Sequence, residues 1–199
     1  MPSNFSIQVA KNYFNFASAH FLTFVDGTRE LLHGHNYQVS VRLDGDLDGA
    51  GMVVNFITFK PLVKQICDAL DHRTLIQKLS PQLKIRRAGP NIEIIHKRHR
   101  FVIPRQDVHL LPLANTSTEM LAQYIAGQIR KGMQRQFPGV KLYSIEVGVE
   151  ESKGQKGIFT LELQLPFTAE RQTGNKIIDD IVAYRFAQWS DLLRVTGAQ

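Results

Sequence analysis

The sequence predicts an α+β fold: an antiparallel sheet with two helices on one face, an inserted hairpin and a C-terminal helix. Three observations predict it. Tyr37, Val39, Val41 and Leu43 alternate with polar residues at the period of a half-buried strand. A second pair of alternating segments, 143–149 and 159–165, flanks a Gly- and Lys-rich turn and reads as an antiparallel hairpin. Between the strand pairs, Phe59, Val63, Ile66, Cys67 and Leu70 recur at the three-and-four spacing of an amphipathic helix.

Each element has its own signal. Phe5, Ile7 and Val9 start a strand, and the apolar phase then moves to Phe14 and Phe16, which implies a bulge around 11–13. Asp44-Gly45-Asp46 and Gly49-Ala50-Gly51 end the second strand with turn chemistry. Thr58 is the expected N-cap of the first helix, since it would put Pro61 in the first turn, where a missing N–H costs little. Thr116-Ser117-Thr118-Glu119 has the pattern of a capping box and opens a second helix that stops by Phe137-Pro138-Gly139. The stretch from about 80 to 113 reads as an insertion with a short hairpin, 92–95 against 101–103. Ile177, Ile178, Ile181, Val182, Trp189 and Leu193 give a last amphipathic helix over about 175–194, within an extension of about 172–199. One domain spanning 1–199 is expected, because 199 residues suffice for one good core with embellishments.

Composition narrows the class. A hydrophobic share of 43% and a charged share of 21% are those of an ordinary globular protein, and no apolar run is long enough to span a bilayer. The first residues lack the charge and apolar pattern of a secretion signal. Cys67 is the only cysteine, which excludes an internal disulfide and fits a reducing compartment, so a cytoplasmic protein is expected. Its helical spacing makes it a small core residue rather than a nucleophile. The net charge of +6 favours anionic partners. Its two densest runs, Lys84-Ile85-Arg86-Arg87 and His96-Lys97-Arg98-His99-Arg100, are not interleaved with aromatics as single-strand binders are, so they read as solvated hairpin tips, with a phosphate contact as the alternative.

Three of the seven histidines stand out. His33-Gly34-His35 opens the second strand, so both imidazoles project from one face, the apolar face of Tyr37, Val39 and Val41. His20 shares phase with Phe14, Phe16 and Ser18 on the first strand. If those strands are antiparallel neighbours, the three rings converge beneath the helices. Three neutral imidazoles leave one position of a tetrahedral Zn2+ open, as catalytic sites do. His96, His99 and His109 have no such convergence.

Two carboxylates carry further signals. Asp71 lies beside His72 just after the first helix, where it could fix the imidazole's tautomer for proton transfer, or the pair could simply terminate the helix. Glu151 continues the buried phase of Val147 and Val149, where a carboxylate must find donors, such as the two N–H groups on one edge of a flat heterocycle. The alternative is a strand that ends at Val149 and leaves Glu151 in a loop.

Six ordered motifs carry a family resemblance: Phe16-Ala17-Ser18-Ala19-His20, His33-Gly34-His35-Asn36-Tyr37, Gly51-Met52-Val53-Val54-Asn55-Phe56, Leu70-Asp71-His72-Arg73, Ser117-Thr118-Glu119 and Val149-Glu150-Glu151-Ser152. They resemble the motifs of the 6-pyruvoyl-tetrahydropterin synthase and 6-carboxy-tetrahydropterin synthase family, over about 5–75 and 115–165. The resemblance implies the tunnelling fold, with subunits assembled as trimers or hexamers and active sites between them. It implies that His20, His33 and His35 hold Zn2+, that Asp71 and His72 move protons, and that Glu151, with Ser117 and Thr118, binds the pterin. A small-molecule pterin phosphate is the implied partner, with no nucleic acid and no membrane; basic groups of a neighbouring subunit would hold its phosphates.

One departure bears on the reaction. Pyruvoyl- and carboxy-forming members carry a catalytic Cys four or six residues before the first His of His-Gly-His, and those offsets fall here on Arg29 and Gly27. Glu30-Leu31-Leu32-His33 instead matches a Glu-x-x-His-Gly-His variant, which resembles enzymes that cleave the side chain of 7,8-dihydroneopterin triphosphate to 6-hydroxymethyl-7,8-dihydropterin. Glu30 is then the base of a zinc-dependent lyase. The alternatives are a 6-pyruvoyl- or 6-carboxy-tetrahydropterin synthase and a non-catalytic pterin- or zinc-binding protein. A second departure, Asn55 where Asp is usual, removes a charge at a turn.

Overall fold

The structure, a computed structural model, describes residues 5–163; the helix expected over about 175–194 lies outside them. In chain order the elements are β1 (Phe5–His20), β2 (His33–Gly45), α1 (Phe56–Leu70), β3 (Arg73–Gln77), β4 (Lys84–Ala88), β5 (Asn91–His96), β6 (His99–Pro104), β7 (Val108–Leu111), α2 (Thr118–Gln136), β8 (Leu142–Ser152) and β9 (Gln155–Glu162). The main sheet has six strands in the order β7-β3-β1-β2-β8-β9, and β4-β5-β6 form a second, three-stranded sheet.

The α+β architecture is as the sequence predicts, with one difference in the sheet. β1, β2, β8 and β9 are antiparallel neighbours, but β3 runs parallel to β1 and β7 parallel to β3, so the sheet is mixed. Parallel partners need a crossover between them, and here it is α1 for β3 and the three-stranded sheet for β7. The expected inserted hairpin is therefore three strands, and the segment's last part rejoins the main sheet. The basic run Lys84–Arg87 is strand β4 and not a hairpin tip; His96–Arg100 does form the turn between β5 and β6. Glu93 on β5 is ion-paired with Arg86 on one side and Arg100 on the other, which neutralises part of both runs.

Both helices lie over one face of the sheet. Phe14, Phe16, Tyr37, Val39, Val41, Ile145 and Val147 supply the sheet's side of a single buried cluster, and Phe59, Val63, Leu121, Ile125 and Ile129 supply the helices' side. Cys67 is in this core, fully buried, as expected. A second cluster of Phe21, Ile76, Ile92 and Ile94 joins the three-stranded sheet to the ends of β1 and β3.

The helix starts differ from expectation. α1 is capped by Asn55, whose side chain accepts the Ile57 N–H at 2.8 Å, and Pro61 lies inside the helix. Thr58 is not the cap; it is already within the helix, and its hydroxyl donates back to the Asn55 carbonyl. α2 has Ser117 as its N-cap residue with no side-chain hydrogen bond, so the capping box does not form. Thr116 is buried instead, with its hydroxyl donating to the Phe21 carbonyl at 3.3 Å.

Candidate active site

The bulge in β1 decides which residues meet. Between the pairs Ala10↔Ser40 and Asn15↔Gln38, β1 advances five residues while β2 advances two. An odd excess inverts the phase, which puts Phe14, Phe16, Ser18 and His20 on the core face. The Gln38 amide fills the gap by donating to the carbonyls of Lys11 and Phe14. His20 then stands directly opposite His33, and Ser18 opposite His35.

The three imidazoles do converge. Ring centroids are 4.8 Å apart for His20–His33, 5.3 Å for His20–His35 and 4.8 Å for His33–His35. One nitrogen from each lies within 4.8 Å of the others, the only such cluster of metal-type ligands found among the described residues. Two of the rings have one nitrogen already engaged: His20 Nδ1 lies 3.1 Å from the Thr116 carbonyl and His33 Nδ1 2.8 Å from that of Leu31. A carbonyl can only accept, so each Nδ1 carries the hydrogen and each Nε2 keeps its lone pair. His20 Nε2 is buried with no partner. Burial first, then the nearby His33, lowers the His20 pKa to about 4, so the ring is neutral at pH 7. Three converging imidazole nitrogens suit Zn2+ or another divalent transition metal, and the residues present fit such an ion.

Carboxylates border the cluster. Glu30 is half-buried, its Oε2 accepts the Leu22 N–H at 3.1 Å, and its charge acts on His20 and on Tyr37. Glu151 Oε2 lies 3.9 Å from His35 Nε2, on a strand that continues to Ser152, so Glu151 is not in a loop. Tyr37 stands under His20 and His35, with ring centroids 5.8 Å and 5.6 Å away, and its hydroxyl is buried without a partner. Burial first, then Glu151 and Glu30, push the phenol's pKa up, which keeps it a neutral donor.

The dyad is formed as well. Asp71 Oδ1 accepts the Ala17 N–H at 2.7 Å, while Oδ2 accepts from His72 Nδ1 at 2.8 Å. Burial opposes ionisation of Asp71, but the Ala17 N–H and the His72 ring hold its carboxyl below the usual range. His72 adopts a φ of 53°, and its backbone N–H donates to the Ala17 carbonyl, which fixes the backbone that carries an exposed ring just before β3. His35 and His72 both line a cleft of about 460 Å³, together with Asn36, Arg73, Thr74 and Asp107. Ser117 and Thr118 are half-buried where α2 starts, and Thr118 packs on Gly157 of β9. Arg29, at one of the offsets where a thiol would stand, lies over the rings of Phe21 and Phe101. Sequence reasoning missed Thr116, whose match to a capping pattern hid its contact with His20, and Tyr37, whose hydroxyl no periodicity reveals.

An α+β chain that gathers three imidazoles beside an acidic side chain, with an Asp–His pair nearby, has the donor set of a candidate metal site and groups able to exchange protons. The comparisons narrow this reading. The family model described as 6-pyruvoyl tetrahydropterin synthase matches residues 8–160. A Methanocaldococcus jannaschii protein, provisionally named 6-carboxy-5,6,7,8-tetrahydropterin synthase, is 32% identical over 152 residues, 75% of this chain and 91% of that one. The Plasmodium falciparum 6-pyruvoyl tetrahydropterin synthase structure aligns at a TM-score of 0.76 and 34% identity, covering 81% of this chain and 99% of that one. A Plasmodium vivax 6-pyruvoyltetrahydropterin synthase in which alanine replaces a catalytic glutamate aligns at 0.75 and 32% identity, with the same coverage. The chain belongs to the 6-pyruvoyl tetrahydropterin synthase family, and its architecture is the tunnelling fold.

Proposed function

We propose that this chain, a tetrahydropterin-synthase-type protein of pterin biosynthesis, is a zinc-dependent lyase that cleaves 7,8-dihydroneopterin triphosphate to 6-hydroxymethyl-7,8-dihydropterin. The carrying observation is that no thiol is available to the site. The single cysteine, Cys67, is on the core-facing side of α1, fully buried, and burial pushes its thiol up to about 12. The group beside the histidines in its place is the Glu30 carboxylate. A catalytic glutamate in the Plasmodium vivax relative supports that choice.

In this reading His20, His33 and His35 hold Zn2+, with Thr116 and Leu31 orienting two of the rings. The ion supplies Lewis acidity that lowers the pKa of a bound hydroxyl. Glu30 takes the proton from the second side-chain hydroxyl. That carbon becomes an aldehyde carrying the triphosphate, the bond to the first side-chain carbon breaks, and the electron pair passes into the pterin ring. His72, oriented by Asp71, returns a proton to the first carbon, which leaves the hydroxymethyl group. Glu151 accepts the two N–H groups of the pterin edge, and Ser117 and Thr118 line the same pocket. Subunits assemble as trimers or hexamers, and basic groups of a neighbour meet the triphosphate.

A second reading, formation of a 6-carboxy or 6-pyruvoyl pterin, is favoured by the names of the relatives. Incubating the zinc-loaded protein with 7,8-dihydroneopterin triphosphate and weighing the product separates them. We expect the hydroxymethyl pterin and a phosphorylated two-carbon aldehyde. Release of inorganic triphosphate with a pyruvoyl product would establish the second reading, and bound zinc without turnover a binding protein.

A further inference from the structure

The loop 22–30 that carries Glu30 has little core of its own. Its tip residues Phe24 and Val25 are 43% and 84% exposed, so apolar burial does not fix it. Its attachments lie elsewhere. Phe24 N–H donates to the Thr28 carbonyl and Glu30 N–H to the Leu22 carbonyl, closing the loop on itself. Gln82 Nε2 donates to the Phe24 carbonyl at 2.6 Å, and the Thr23 and Ser80 hydroxyls are 3.3 Å apart. The Arg29 guanidinium carbon is 4.8 Å from the Phe101 centroid and 5.6 Å from that of Phe21, over two rings stacked at 5.3 Å. One Arg29 nitrogen donates to the Glu30 carbonyl. Phe101 belongs to β6 of the three-stranded sheet, and Phe21 directly follows the ligand candidate His20.

We propose that Arg29 is a positioning residue for Glu30, and that the inserted three-stranded sheet, through Phe101, is the brace that holds this loop against the histidines. The proposal rests on Glu30 being the base. A guanidinium suits the task because it is planar: one face lies on the aromatic pair while an edge still donates to a carbonyl. The other ties of the loop, Gln82 to Phe24 and Ser80 and Asn115 to Thr23, hold its first half; Arg29 is the contact beside Glu30 itself, and a displacement there of about 1 Å can cost about a hundredfold in rate. The arrangement also gives the insertion a role at the site without any direct contact with substrate.

The test is steady-state turnover of 7,8-dihydroneopterin triphosphate by zinc-loaded Arg29→Met, Phe101→Leu and Arg29→Lys, with the first two also made in a Glu30→Gln background. We expect Arg29→Met and Phe101→Leu each to lower kcat by about a hundredfold while KM and zinc content stay unchanged. Arg29→Lys, which keeps a cation over the rings, recovers part of the loss. In the Glu30→Gln background neither change lowers the residual rate further, because nothing remains to be positioned. Wild-type kcat in both single variants, or losses that multiply with that of Glu30→Gln, overturn the proposal. Wild-type turnover by Glu30→Gln alone overturns the reading of Glu30 itself. If Arg29→Met does not fold, Phe101→Leu carries the comparison. If the residual rates are too low to compare, hydrogen exchange of the amides in 22–30 decides: faster exchange supports the brace, and unchanged exchange overturns it.

Discussion

His20 reaches the cluster only because β1 carries an odd number of extra residues at its bulge. This was legible: the apolar phase shifts from Phe5, Ile7 and Val9 to Phe14 and Phe16, and a ring in phase with Phe16 and Ser18 falls opposite His33. What surrounds the histidines was less legible. Thr116 and Leu31 contact the rings through backbone carbonyls, and a carbonyl leaves no trace in side-chain chemistry. Two predictions belong here. Replacing Glu30 by Gln keeps the shape but removes the carboxylate proposed as the base, so turnover should fall by at least about a hundredfold while zinc, measured by elemental analysis, stays bound. The second concerns protons. In the metal-free protein the folded-state pKa of His20, about 4, lies below its unfolded value of 6.5, so between them the unfolded chain binds the proton and the native chain does not. Stability is therefore full above that window and falls as pH drops through it, by up to about 3 kcal/mol at pH 4. Urea titrations from pH 7 to pH 4 check this, and a His20→Gln variant should lose that part of the slope.

At the scale of elements, the long strands and both helices follow from periodicity, whereas β3 and β7 do not. They have five and four residues, too few for a pattern, and their parallel partners are distant in sequence. The helix starts differ from the sequence expectation for a local reason. A cap at Thr58 would put Pro61 in the first turn, yet Asn55 accepts the Ile57 N–H and the helix accommodates the proline. Asn and Asp both offer a cap oxygen, so Asn55 fills the place where the resemblance leads one to expect Asp. Asn55→Ala should cost about 1 kcal/mol in thermal or urea unfolding. A sharper prediction concerns Gly157, where a Cβ would come within 2.5 Å of the Glu119 nitrogen and the Thr118 hydroxyl oxygen. Gly157→Ala forces the start of α2 away from β9, at a cost of about 1–3 kcal/mol. Since Ser117 and Thr118 move with it, it should also raise KM for the pterin.

For the whole molecule, the two sheets divide the work. The six-stranded sheet and its helices bury the main core and present the histidines on its margin; the three-stranded sheet forms a second core that begins at Phe21, next to His20. Much of the positive charge that composition offered as a sign of anionic partners lies on that second sheet, where Glu93 already engages Arg86 and Arg100. No helix among the described residues is long and apolar enough to cross a membrane. The whole account stands on one cation shared by β1 and β2. Anomalous diffraction at the zinc edge, from crystals of the zinc-loaded protein, tests it most directly. The account predicts a peak about 2.0–2.1 Å from one nitrogen each of His20, His33 and His35, with the Glu30 carboxylate facing the fourth position. A zinc peak elsewhere, or none at these three rings at full loading, would contradict it.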